Sequence, residues 1–220
     1  MRITVGVMAR APVPGRCKTR LASALGDERA ARLYRAMLLD TLDAIDRSLG
    51  RDARLVVLAA PEDDGVAGLR ALAPAAWDVV PQRGAGLGER LAHATRDLGA
   101  TGHLVALVDS DSPTVDFEGM AGALRRATRP RHVLMGPCDD GGYYLIAMTS
   151  PETGIFERID WSTPRVQPQT RARCAELELT LEELAPGYDV DEAADLARLN
   201  DELRGAPALA PRTAAVLGER

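Results

Sequence analysis

The stretch Ile3-Thr4-Val5-Gly6-Val7-Met8-Ala9, followed at once by Arg10-Ala11-Pro12-Val13-Pro14-Gly15-Arg16-Cys17-Lys18-Thr19-Arg20-Leu21, decides the reading of the fold. The first seven residues form a nearly unbroken apolar run, which suits a strand covered on both faces rather than one with a wet side. Two prolines and a glycine then prevent the strand from continuing. A strand buried on both faces needs helices above and below it, and the chain supplies them. Ala31, Leu33, Met37, Leu38, Leu42 and Ile45 recur near helical spacing, predicting a helix from Asp27 of about five or six turns that stops at Gly50. A buried strand is expected over 54–60, a helix over 62–73, a short strand over 77–80 and a helix over 87–98. A strand over 103–108, a helix over 117–128 and a strand over 132–136 continue the alternation.

Alternating strands and helices argue for an α/β fold: a three-layer α/β/α arrangement around a mostly parallel mixed sheet, Rossmann-like in character. After Gly142 the rhythm changes. Tyr143-Tyr144-Leu145-Ile146-Ala147-Met148 follows the preceding strand after only a short turn, so it is expected as an antiparallel neighbour. A lid or return is expected over 161–170, a helix over 164–176, an extended run over 177–181 and a helix over 192–203. One domain over 1–203 is expected, with a loosely attached tail over 204–220 rich in Ala and Pro. There is no internal repeat.

The 220 residues carry 27 basic and 32 acidic side chains, a formal charge of −5. That balance leaves no broad basic surface for a polynucleotide, so nucleic acid is not an expected partner. No apolar run approaches a membrane span and the start does not read as a signal peptide, so a cytoplasmic protein without membrane contact is expected. Cys17, Cys138 and Cys174 are odd in number and in no ligand spacing, and read as reduced thiols. Of the basic residues 26 are Arg, and Lys18 is the only lysine.

In a sheet of this class ligands sit beyond the carboxyl ends of the strands, and the polar, glycine-rich segments fall there. Gly15 permits close backbone approach, while Arg16, Lys18 and Arg20 put three cations into five residues. A solvated basic turn is the plain alternative. The single lysine favours a phosphate-binding loop, because a compact ammonium reaches between phosphates where a planar guanidinium does not. Asp109-Ser110-Asp111-Ser112-Pro113 ends the strand over 103–108 and can present carboxylates to a hard divalent cation, or form a turn before proline. Asp189-Val190-Asp191 can complete that shell, or cap the helix that follows. Gly84-Ala85-Gly86-Leu87-Gly88-Glu89-Arg90 leads into a helix whose free N–H groups can hold part of a nucleotide. Gly136-Pro137-Cys138-Asp139-Asp140-Gly141-Gly142-Tyr143-Tyr144 suits either a tight turn or an acceptor pocket walled by tyrosine. His93, His103 and His132 are isolated and read as structural or exposed. No GxSxG elbow or complete Walker A pattern is present.

Taken in order, Arg10 to Leu21, Gly86-Leu87-Gly88-Glu89-Arg90-Leu91, Asp111-Ser112-Pro113, Gly136-Pro137 with Asp140-Gly141-Gly142-Tyr143-Tyr144-Leu145-Ile146, Trp161-Ser162-Thr163 and Asp189-Val190-Asp191 resemble the DUF2064 family. That family belongs to the GT-A, or nucleotide-diphospho-sugar transferase, superfamily, and some members are labelled glycosyltransferases of arsenosugar biosynthesis. Lys18-Thr19-Arg20-Leu21 is also similar to the phosphate loop of 2-phospho-L-lactate guanylyltransferases. The resemblance implies that Lys18 and Arg20 contact nucleotide phosphates and that Asp111 and Asp191 hold Mg²⁺. The chain departs from the family pattern in carrying Asp109 where glycine is common and Glu192 where threonine often follows the last aspartate.

The resulting expectation is a transferase using Mg²⁺ or Mn²⁺ to move a nucleotidyl group from a nucleoside triphosphate to a small phosphorylated or acidic acceptor, releasing pyrophosphate. Lys18, Arg20 and Asp111 are the expected catalytic residues. Ala11, Pro14, Gly15, Arg16, Gln82, Gly86, Gly88 and Arg90 are expected to join Lys18 and Arg20 in binding the nucleotide. Asp140, Gly141, Gly142, Tyr143, Trp161, Ser162 and Thr163 are expected to bind the acceptor, and Asp109, Asp111, Asp189 and Asp191 the metal. The alternatives are a glycosyltransferase that uses Asp109-x-Asp111 toward a nucleotide-sugar, and a non-catalytic nucleotide-binding module. A homodimer is compatible with either.

Overall fold

A computed structural model describes residues 2–60, 65–99 and 104–219. The first half runs β1 (Ile3–Ala9), α1 (Thr19–Leu25), α2 (Asp27–Leu49), β2 (Ala53–Ala59), α3 (Gly65–Arg70), β3 (Asp78–Pro81), α4 (Leu87–Gly99) and β4 (Leu104–Val108). The second half runs α5 (Phe117–Arg126), β5 (His132–Pro137), β6 (Tyr143–Met148), α6 (Val166–Glu176), β7 (Thr180–Glu183), α7 (Ala193–Gly205) and α8 (Pro211–Gly218). The strands make one sheet in the order β3-β2-β1-β4-β6-β5-β7. Only β6 runs against its neighbours, antiparallel to both β4 and β5. The five residues joining β5 to β6 are too few for a crossover, so antiparallel pairing is the connection left to them. The mixed, mostly parallel sheet with helices on both faces is thus the one expected.

β1 explains why its sequence is apolar on both faces. Ile3, Val5, Val7 and Ala9 pack in a core with Leu38, Leu42 and Ile45 of α2 and Met120 and Leu124 of α5. On the opposite face Leu58, Leu98 and Leu107 close over Gly6, where a Cβ would stand 2.6 Å from Leu58 Cδ1 and 2.9 Å from Leu98 Cδ1. The glycine therefore lets α4 descend onto the sheet. A third apolar cluster lies beyond the sheet, where Cys17 and Leu21 meet Leu33 and Met37 of α2, Tyr188, Val190, and Leu199 and Leu203 of α7. That cluster anchors the loop after β1.

The chain places β2 and β3 to one side of β1 and β4 to the other. The order therefore reverses at β1, and the loops leaving the carboxyl ends of β1 and β4 run side by side with a crevice between them. No described helix is long and apolar enough to cross a membrane.

Several local expectations need correction. α1 is a separate helix, broken from α2 at Gly26, whose φ of 77° suits glycine. Residues 177–179 do not begin the last strand; they close α6, with Glu178 in a left-handed conformation at φ 52° and Leu179 N donating to Cys174 O. The helix expected over 62–73 is found over Gly65–Arg70, and its start, like His103, lies outside the described residues.

The tail is not loosely attached. Asp40 of α2, 2% exposed, accepts 2.8 Å hydrogen bonds from Thr213 N and Thr213 Oγ1, and a third from Arg212 N. Its carboxylate thereby satisfies free donors at the start of α8, and Arg212 adds an ion pair to Asp43. An Asp40→Ala substitution is expected to cost about 1–3 kcal/mol by leaving these donors unmet. Limited proteolysis should then cut within 205–219 well before the rest of the chain, and an unchanged cleavage pattern would contradict this role.

Candidate functional site

The loop after β1 is held from beneath. Cys17 Sγ donates to Val13 O, and Tyr34 of α2 accepts a 3.0 Å hydrogen bond from Arg10 N. The Tyr34 hydroxyl also bonds Ser110 Oγ at 2.9 Å, so one buried phenol clamps the loops after both β1 and β4. Burial, then the charge of Asp111, pushes its pKa up to about 12, leaving it neutral at physiological pH.

Lys18 caps α1 in a left-handed conformation, φ 47° and ψ 44°, which is uncommon for a residue with a side chain. Its Nζ donates to Asp111 Oδ2 at 2.6 Å and Asp191 Oδ1 at 2.5 Å, with only 6% of the side chain exposed. Burial alone would drive this ammonium toward its neutral form. The charges of Asp111 and Asp191, with their hydrogen bonds, instead hold its pKa above the ordinary lysine value.

Both aspartate pairs are built alike. Ser110, between Asp109 and Asp111, is 4% exposed and faces Tyr34, while Val190, between Asp189 and Asp191, is wholly buried. Val190 N donates to Asp111 O, fastening one pair to the other. Asp109 accepts a 2.6 Å bond from Ser112 Oγ. Burial, then the charge of Asp111, pushes the Asp109 carboxyl up. Burial, followed by the charges of Asp140, Asp111 and Asp191, pushes Asp189 up to about 7. Asp189 also lies beside Cys138 and Asp140, their potential ligand atoms within 4.8 Å of one another. Burial and the neighbouring carboxylates push the Cys138 thiol up.

These residues line a cleft with two lobes. The first, of about 690 Å³, is lined by Arg10, Ala11, Gly15, Arg16, Lys18 and Arg20, together with Tyr34, Asp111 and Asp191. The second, of about 350 Å³, is lined by Asp109, Asp140, Gly142, Tyr143, Trp161, Ser162, Thr163 and Asp189, and it shares Arg20, Asp111 and Asp191 with the first. Trp161 meets Tyr143 edge to face, ring centroids 6.4 Å apart. Gly141, at φ 94°, lies behind this wall against Pro164, with no room for a side chain.

The segment 82–90 sits differently. Gln82 is buried and spends its amide on Leu58 O of β2. Arg90 Nε bonds Gly84 O, and Gly88 lies directly beneath the Trp161 indole, where a Cβ would collide with Nε1. Gly86 and Gly88 face a shallow hollow on the far side of Trp161. Gln82, Gly86, Gly88 and Arg90 therefore do not line the first lobe, nor does Pro14. Arg10, Tyr34 and Cys138 line it without having been singled out. Tyr34 could have been found only by asking why a helix core should contain one phenol among Leu, Ala and Met. His93 and His132 lie outside the cleft, bonded to Arg83 O and paired with Glu182.

A family model described as an uncharacterized protein conserved in bacteria, DUF2064, matches residues 42–163. A structure from Desulfovibrio desulfuricans G20, provisionally named a nucleotide-diphospho-sugar transferase, superposes with a TM-score of 0.90 at 30% identity, covering 99% of this chain and 94% of that one. A 4-diphosphocytidyl-2C-methyl-D-erythritol synthase superposes at 0.59 with 13% identity, covering 90% and 96% of the two chains. The inositol-1-phosphate CTP transferase of T. maritima gives 0.56 and 13%, covering 97% and 96%. These last two share the fold. No curated protein matches the sequence.

Removing the Lys18 charge should leave Asp111 and Asp191 facing one another without a cation. Lys18→Met is expected to destabilise the fold by about 1–3 kcal/mol, below the usual figure for breaking a buried pair because water reaches both partners. Arg20→Met, whose side chain is 70% exposed, should stay within about 0.5 kcal/mol of the parent. Equal denaturation midpoints for the two variants would contradict a buried role for Lys18.

Proposed function

The chain belongs to the DUF2064 family, and from its two-lobed cleft we propose that it is a nucleotidyltransferase, moving a nucleoside monophosphate from a nucleoside triphosphate to a small-molecule acceptor. The observation that carries this reading is the first lobe: Arg10, Arg16 and Lys18 of the loop after β1, with Arg20 at the start of α1, line one cavity. Four cations suit the charge of a triphosphate better than that of a diphosphate alone. The names of two fold relatives, a nucleotide-diphospho-sugar transferase and a CTP transferase, lend support.

In the proposed reaction the arginines hold the phosphate chain and Lys18, at the junction of the lobes, supplies positive charge next to the reacting phosphorus. Tyr34 keeps the loops after β1 and β4 in register, so donor and acceptor meet in fixed orientation. An acceptor oxygen forms a bond to the α-phosphorus, the bond from that phosphorus to the α–β bridging oxygen breaks, and pyrophosphate leaves with the electron pair. The acceptor's proton passes to water.

The residues fit a divalent cation, since Asp111 and Asp191 already converge on one positive charge, the Lys18 ammonium. Mg²⁺ or Mn²⁺ would be held by those two carboxylates and would supply neutralisation of phosphate oxygens. The acidic set is all oxygen, the hard donor type these ions select.

The test is pyrophosphate release from each nucleoside triphosphate with Mg²⁺ and a panel of small alcohols, run against nucleotide-sugars with release of nucleoside diphosphate as the readout. Diphosphate without pyrophosphate would establish the glycosyltransferase reading, in which Asp109-x-Asp111 serves a nucleotide-sugar, and would overturn this one. Lys18→Arg keeps the charge but not the compact geometry, and is expected to lower turnover about 100-fold or more. Asp111→Asn should abolish metal-dependent turnover. Parental rates in either variant, with folding verified by circular dichroism, would remove that residue from the machinery.

A further inference from the structure

Resting on the nucleotidyl-transfer reading, we infer that the acceptor carries neither phosphate nor carboxylate: it is an uncharged or cationic hydroxyl compound seated against Trp161. This replaces the phosphorylated or acidic acceptor expected from sequence.

Charge is segregated between the two lobes. The first is lined by Arg10, Arg16, Lys18 and Arg20 against two carboxylates, Asp111 and Asp191, which it shares with the second. The second is lined by the carboxylates of Asp109, Asp111, Asp140, Asp189 and Asp191 and by one guanidinium, Arg20. That guanidinium is 70% exposed and 3.6 Å from Glu192. Two cations next in sequence to or paired with residues of this region are engaged elsewhere: Arg165 pairs with Asp160 at 3.0 Å, and Arg198 pairs with Asp139 at 2.6 Å and stacks on Tyr188. Neither lines the lobe. A bound divalent cation favours the ionised form of the carboxylates around it, so that it, Lys18 and Arg20 set four positive charges against the five negative ones of this lining. A phosphate or carboxylate on the acceptor would therefore enter a field of its own sign, and the buried ammonium beside it, Lys18, is already bonded to Asp111 and Asp191.

The wall offers what a neutral or cationic polar molecule needs. The Trp161 indole, fixed by Gly88 beneath it and Tyr143 at its edge, presents an aromatic surface to C–H groups or an ammonium. Asp140 is tied to Gly142 N through Oδ1, and a carboxylate so held can accept from a hydroxyl or ammonium through its other oxygen. A volume of about 350 Å³ suits a small polyol or amino alcohol.

Two measurements test this. Trp77 is 2% exposed, so quencher-accessible fluorescence belongs to Trp161. Quenching by iodide, caesium and acrylamide at equal ionic strength, each scaled to free N-acetyltryptophanamide, should show iodide about threefold or more less effective than caesium. An Asp140→Asn, Asp189→Asn double variant should narrow the gap. Iodide as effective as caesium in the parent would overturn the inference. In the second arm, glycerol, myo-inositol and choline are each offered beside their own phosphate monoester, with pyrophosphate release from a nucleoside triphosphate as the readout. The unphosphorylated member should be favoured about tenfold or more. Preference for a monoester would overturn the inference and leave the nucleotidyl reading standing. Release of nucleoside diphosphate from a nucleotide-sugar, without pyrophosphate from any triphosphate, would overturn that reading and leave the lobe's charge preference to the quenching result.

Discussion

One buried ammonium joins three distant parts of the chain. Lys18 Nζ bonds Asp111, 93 residues away, and Asp191, 173 residues away. Burying a lone ammonium is costly, and two carboxylates facing one another without a cation repel. Each partner is tolerable only because the others are present. The loop after β1, the loop after β4 and the segment before α7 must therefore arrive together. An arginine in the same place would bring a longer, planar donor set that cannot meet two convergent carboxylate oxygens from a single nitrogen.

The sheet makes this convergence possible. Reversal of strand order at β1 leaves the ends of β1 and β4 adjacent with a crevice between them. The 189–191 segment is brought there by Val190, which is both wholly buried and bonded to the backbone of Asp111. Positive charge then collects where one glycine-containing loop wraps a cavity, and negative charge collects where two aspartate pairs meet. The net charge of −5 conceals this separation, which is local and set by topology.

Much of this was legible in the sequence where a signal is local. The apolar runs gave the strands, the short link before Tyr143 gave the antiparallel β6, and the count of lysines picked out residue 18. What was not legible depends on distant partners. Asp40 looks like an ordinary helix carboxylate until Thr213 is brought against it from 173 residues away. Gly88 invites a ligand-binding reading, but its missing side chain makes room for the Trp161 indole. Lys18 was assigned to phosphate and Asp111 and Asp191 to metal as if these were separate tasks, because spacing along a chain does not tell that one ammonium sits between the two carboxylates.

The Asp-x-Asp pattern shows how a folding requirement and a chemical one can be met by the same three residues. In each pair the middle residue is the anchor: Ser110 is held by Tyr34 and Val190 lies in the core. With the middle residue of each triplet buried, the flanking carboxylates line the cleft. That packing, by burying the carboxyls and then by setting them near other carboxylates, raises the pKa of Asp109 and Asp189. A site so constructed gathers more negative charge than one ammonium can balance. It is therefore poised for a further cation and unfavourable to an additional anion, and both properties follow from which residue of each triplet is buried.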